Sequence, residues 1–171
     1  MALPSRDQTF AFEDCRELRE KLCREIDRYR EVAGRDEADP DAMIRLVDQL
    51  KDSAFNAAVT AWHLCDWVFK DMLLDQRYKL NFPKLIDLQN HARRNCRALH
   101  LCRQAATASK HWIVDDYYDP DVQVVVAHDE VGWVVYFVDR GQEKAADAVF
   151  DMALAFWTEF IRDHGICEGV A

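Results

Sequence analysis

The sequence predicts a mainly α fold: a bundle of about five helices with a β-hairpin before the last one. Three observations point there. Apolar residues recur at three- and four-residue steps through most of the chain, the signature of amphipathic helices. That period gives way to runs of Val, Trp, Tyr and Phe only between Val122 and Val138, which is strand chemistry. Hydrophobic residues are 50% and charged residues 31% of the 171, apolar enough to bury a core and too apolar for disorder. With no internal repeat, low-complexity tract or convincing linker, residues 1–171 are expected to form a single domain.

The first helix is capped by Asp7 or Thr9 and runs to about Ala33, where Gly34 supplies the stop. Phe12, Cys15, Leu18, Leu22, Ile26, Tyr29 and Ala33 make its inner stripe. Asp39 at N-cap and Pro40 at N1 open a second helix carrying Met43, Val47 and Leu50. A third helix starts at Asp52 or Ser53 and is apolar almost all round, with Phe55, Ala58, Val59, Trp62, Cys65, Phe69 and Leu73 on one face. Such a helix belongs at a bundle centre or in a dimer interface. Asn81, Phe82 and Pro83 open a fourth helix of about 30 residues, near 45 Å long, with Leu85, Leu88, Ala92, Leu99, Ala106 and Ile113 sharing a face. Asp115, Asp116 and Asp119-Pro120 end that pattern.

Val122 to Ala127 and Val131 to Val138 then form the hairpin, about residues 121–138. Both its faces are apolar, so each is expected to be covered or paired with another chain. Asp139 caps the last helix, whose inner stripe is Ala146, Val149, Phe150, Ala153, Trp157, Phe160 and Ile161, and Gly165 ends it.

Charge is distributed unevenly. The chain carries a formal −9, which argues against non-specific coating of nucleic acid. Yet Leu88 to Val114 holds no carboxylate and gathers Arg93, Arg94, Arg97, Arg103 and Lys110 with His91, His100 and His111. At ~100° per residue, Arg93, Arg97, His100, Gln104 and His111 share one flank of the fourth helix, while Arg103 and Lys110 fall in its apolar sector. Asp66 lies among apolar residues of the third helix. A buried ion pair of Asp66 with Lys110 or Arg103 is the economical expectation, and its loss would cost about 3–5 kcal/mol.

In RRNCRALH, Arg93 to His100, an Arg and a His at this spacing suit metal-independent RNA cleavage. The Arg holds the scissile phosphate and the His moves a proton. The segment resembles the R-x(4–6)-H motif of HEPN domains, small helical bundles of bacterial defence and toxin systems. Arg94-Asn95 with His100 fits the form in which Asn follows the Arg, and Arg93 to His100 fits the spacing as well. The resemblance covers the helical architecture and this motif. It implies an endoribonuclease that assembles its site across a homodimer, with Arg93, Arg94, Asn95 and His100 as catalytic residues and RNA as substrate. The alternative is a non-catalytic dimeric interaction or assembly module whose basic flank meets an acidic partner or water.

His63, Cys65 and Asp66, with His100 and His111 on the next helix, supply donor atoms for a bundle-core metal. They lack an E-x-x-H or H-x-x-x-H pair, so neither metal nor cofactor is expected. Phosphate loops and a serine-hydrolase elbow are likewise missing from the sequence. The six cysteines form no C-x-x-C pair and read as free thiols in a reducing cytoplasm. No apolar signal core opens MALPSRDQTF, and no run approaches the ~20 apolar residues of a membrane span.

Overall fold

A computed structural model describes residues 11–108 and 118–167. Among them are six helices and one three-stranded antiparallel sheet, which lies before the last helix. The mainly α architecture is therefore as expected, and the differences lie in where elements begin and break. No helix among the described residues is long and apolar enough to cross a membrane.

Helix α1 (Cys15–Val32) starts later than expected, with Asp14 accepting hydrogen bonds from the Arg16 and Glu17 amides. Asp7 and Thr9 lie outside the described residues. The stripe Leu18, Leu22, Ile26 and Tyr29 is buried as the spacing requires.

Helix α2 (Pro40–Asp71) is one continuous rod of 32 residues where two helices were expected. Asp39 caps it through the Ala42 amide. Ser53, an expected start, donates its hydroxyl back to the Leu50 carbonyl, so its side chain continues the helix instead of capping a new one. The buried face is also rotated from the expected one. Leu50, Ala54, Ala57, Ala58, Ala61, Leu64, Cys65 and Val68 turn inward, while Phe55 and Leu73 are exposed. Small residues facing the core let neighbouring helices approach closely, and the Trp157 indole reaches the Ala61 carbonyl at 2.9 Å.

After the short α3 (Leu74–Lys79), the expected 30-residue helix is split into α4 (Leu85–Asn95) and α5 (Arg97–Ala108). The joint is Cys96, in extended conformation at φ −131°, ψ 102°. Asn95 ends α4 by donating its side-chain amide to the His91 carbonyl at 2.8 Å, the local competition that makes Asn a poor helix-interior residue. A wheel drawn at constant angle cannot cross this joint.

Strands β1 (Val122–Asp129), β2 (Gly132–Asp139) and β3 (Gln142–Ala145) pair in sequence order, with Val125 opposite Tyr136 and Asp139 opposite Gln142. The third strand occupies the place where Asp139 was expected to cap the last helix. Arg140 and Gly141, at φ 52° and 76°, form the two-residue turn that makes it. Helix α6 (Ala146–Asp163) follows directly.

The end of α1 is sewn onto β2. Gly34 donates to the Trp133 carbonyl at 2.9 Å, and Trp133 donates to the Arg35 carbonyl at 3.0 Å. A Cβ on Gly132 would stand 2.7 Å from the Gly34 carbonyl, so only glycine fits there. A single buried cluster, with Leu22, Leu64, Leu99, Phe137, Phe150 and Trp157 at its centre, joins α1, α2, α4, α5, α6 and the sheet.

Candidate functional site

Helix α5 presents Arg97, His100 and Gln104 along one side, as steps of three and four residues dictate. That side faces the open end of the sheet, where the chain brings up Asp119 before β1, Asp139 at the end of β2 and Lys144 in β3. The Arg97 guanidinium grips Asp139, with Nη2 at 2.6 Å from Oδ1 and Nε at 3.1 Å from Oδ2. Its Nη2 also reaches Asp119 Oδ2 at 3.1 Å. His100 Nε2 lies 2.8 Å from the same Asp119 oxygen, and Lys144 Nζ is 2.9 Å from Asp139 Oδ2. The Asp119 amide completes the set by donating to Gln104 Oε1 at 3.3 Å.

The electrostatics follow from these contacts. Hydrogen bonds from Arg97 hold the Asp139 carboxyl far below the usual carboxylate range, overcoming burial, and Lys144 adds to them. Burial pushes the Asp119 carboxyl upward, but bonds from His100, the Asp121 amide and Arg97 outweigh it and leave that group below its ordinary value. Burial lowers the His100 imidazole, against the opposing pull of Asp119. At neutral pH the imidazole is thus neutral, and its Nε2–H donates to the Asp119 carboxylate. Arg97 and Lys144 are balanced by Asp119 and Asp139, so the cluster as a whole carries no excess positive charge.

Of the expected catalytic residues, one belongs to this cluster. His100, 9% exposed, is the one that enters the cluster. Arg93 is half-buried on α4, beside a small recess with Trp62, Gln89 and Arg103. Arg94 and Asn95 are exposed at the end of α4, and the Asn95 amide is committed to His91. The 30-residue rod on which the alignment of Arg93 with His100 was based does not exist.

The expected ion pair lies partly outside the described residues. Asp66 is exposed on α2 and accepts from Gln89 Nε2 at 3.3 Å, so desolvation does not force it into a buried pair. Arg103 lies with its guanidinium 5.7 Å from the centre of the Trp62 ring. Lys110 and His111 fall outside the described residues. Of the donors weighed for a bundle-core metal, Cys65 is fully buried while Asp66 faces solvent and His63 is half-buried.

The sequence places Arg97 on the basic flank without assigning it a role, and singles out neither of its acceptors, Asp119 and Asp139, nor Lys144, which pairs with Asp139. The shared flank of Arg97, His100 and Gln104 was the available signal. Asp119 and Asp139 were assigned to a helix break and a helix cap. No protein-family model matches this chain, no curated protein matches its sequence, and no solved structure matches its fold.

Chemically, an imidazole held by a carboxylate is oriented for proton transfer. A phosphate site, however, needs cations whose charge is not already spent, and both cations here are bound to carboxylates of the same fold.

Proposed function

We propose that this chain is a non-catalytic interaction module that works as a homodimer, and that the Arg97–Asp119–Asp139 network is an internal latch between α5 and the sheet. The observation that carries this reading is the state of β1. It is an edge strand with one neighbour among the described residues, and its consecutive valines Val124 and Val125 are 48% and 36% exposed. Consecutive residues point to opposite faces of a strand, so β1 shows apolar surface on both. It has no Pro, Lys or bulge of the kind that guards natural edges. A second copy of β1, paired antiparallel about a two-fold axis, would satisfy the open edge and cover those valines. The apolar hollow of about 300 Å³ beside it, lined by Phe55, Ala58, Val122, Val124, Val126 and Phe137, would be covered in the same step.

Sedimentation equilibrium tests the reading. The wild type is expected to sediment as a dimer and Val124→Lys as a folded monomer. A wild type that stays monomeric at every concentration would overturn it. The buried, unpaired thiols of Cys15, Cys65, Cys96 and Cys102 suit a reducing compartment such as the cytoplasm.

A second reading, the HEPN-like metal-independent endoribonuclease of a defence or toxin system, is favoured by one observation: His100 keeps a carboxylate partner at 2.8 Å. On that reading, RNA is degraded in the presence of chelator. His100→Gln then abolishes degradation while the protein stays folded by circular dichroism.

A further inference from the structure

The start of α1 and the segment after α6 meet at a point that the latch does not touch. Cys15 opens α1, Asp71 closes α2, and Cys167 lies just beyond the end of α6. The sulfurs of Cys15 and Cys167 are 3.3 Å apart, although 152 positions separate them in sequence. Cys167 Sγ is 3.4 Å from Asp71 Oδ2, and that oxygen also accepts the Cys15 amide hydrogen at 2.6 Å. One donor atom from each residue lies within 4.8 Å of both others, and among the described residues no other group of three such side chains gathers this closely. Cys167 has φ 68°, a left-handed conformation that costs a side-chain-bearing residue energy and is kept where surrounding contacts demand it.

We infer that Cys15, Asp71 and Cys167 form a binding site for a thiophilic divalent cation of the zinc class, with solvent as the fourth ligand. Zinc takes thiolate sulfur at about 2.3 Å and carboxylate oxygen at about 2.0–2.2 Å, which places tetrahedral S and O ligands roughly 3.5 Å apart and two S ligands roughly 3.8 Å apart. The spacing of 3.4 Å between Cys167 Sγ and Asp71 Oδ2 already meets this. The sulfurs need to open by about 0.5 Å, and Cys167, outside any helix, is the side chain placed to move. Cys15 is buried whereas Asp71 and Cys167 are half-buried, so one side of the site is sealed and the other admits an ion. The amide bond from Cys15 fixes the carboxylate, as supporting contacts commonly do around a metal. Two S–H bonds break as two sulfur–metal bonds form, and both protons leave to solvent. A bridge between the two sulfurs would leave Asp71 only its bond from the Cys15 amide, whereas a cation employs all three side chains.

The test uses the full chain, reduced and stripped with chelator, then titrated with cadmium and read by thiolate-to-metal charge-transfer absorbance. The wild type is expected to show a band that saturates at one equivalent and is displaced by zinc, with a rise in melting temperature. Cys167→Ser should lose the band while keeping its circular dichroism. Asp71→Asn should weaken affinity by about tenfold or more, and Cys23→Ser should behave as wild type. Three results would overturn the inference. The folded, reduced wild type gives no band, the band survives in Cys167→Ser, or peptide mapping finds a Cys15–Cys167 disulfide while the reduced chain takes up no cation.

Discussion

The two halves of the basic stretch, on either side of Cys96, have opposite fates. In the α4 half, Arg94 and Asn95 face solvent and Arg93 lies half-buried at a separate recess. In the α5 half, Arg97 and His100 turn inward and are met by Asp119 and Asp139. The residue types on the two sides are alike, and the difference comes from one extended residue and from carboxylates delivered by distant chain. The same-side alignment of Arg93 with His100 presumes an unbroken helix, and the extended Cys96 between them removes that premise. Positive charge in a sequence marks an anion site only when the fold leaves it unpaired.

The sharpest way to break this comparison is to remove the acceptor. Asp139 is 7% exposed and serves both Arg97 and Lys144. Asp139→Ala is expected to cost ~3 kcal/mol, as for a buried pair deprived of one partner, a fall in melting temperature of roughly 6–12 °C for a chain of this size. Thermal unfolding checks it, and a change within about 0.5 kcal/mol would mean that solvent already screens the latch.

His100→Gln comes next, at about 1–2 kcal/mol near neutral pH for the lost bond to Asp119. Its pH dependence says more. The folded-state pKa of His100 lies below its ordinary value, so the unfolded chain binds the proton more readily. Stability that is fully present above about pH 6.5 is therefore lost as pH falls through the lowered folded-state pKa. Asp119 and Asp139 are also depressed, so their contribution is present above about pH 4 and is lost further into acid. Denaturant midpoints measured across this range should show the upper step in the wild type and not in His100→Gln.

Asp66→Ala sharpens the contrast from the other side. An exposed carboxylate accepting from Gln89 is worth less than about 1 kcal/mol, against the 3–5 kcal/mol expected of a buried pair. Smallest of all, Arg94→Ala on the open face of α4 should stay within about 0.5 kcal/mol of wild type by denaturant titration.

These contrasts also mark what could be read from the sequence. The α1 stripe from Leu18 to Tyr29, the Asp39-Pro40 start of α2 and the period change at Val122 rest on local chemistry, and each is legible residue by residue. Ser53 misled because its hydroxyl has two local options, capping or back-bonding, and sequence does not choose between them. The inner face of α2 misled because large residues seemed natural core, whereas close helix packing selected Ala54, Ala57, Ala58 and Ala61. Arg140-Gly141 held a turn signal that Asp139, read as a cap, obscured. At the site, the common flank of Arg97, His100 and Gln104 was visible. Their partners were not, because Asp119 and Asp139 stand 22 and 42 positions from Arg97 and only the tertiary fold joins them.

The measurement that reaches the central claim most directly is a titration of the His100 imidazole by NMR, assigned with His100→Gln, in the presence and absence of a short single-stranded RNA. If Arg97 is spent on the carboxylates of Asp119 and Asp139, the imidazole titrates below its ordinary pKa and the curve does not move when RNA is added. A titration midpoint shifted upward by RNA, with resonances perturbed at Arg97, would show a cluster that accepts phosphate and contradict the latch.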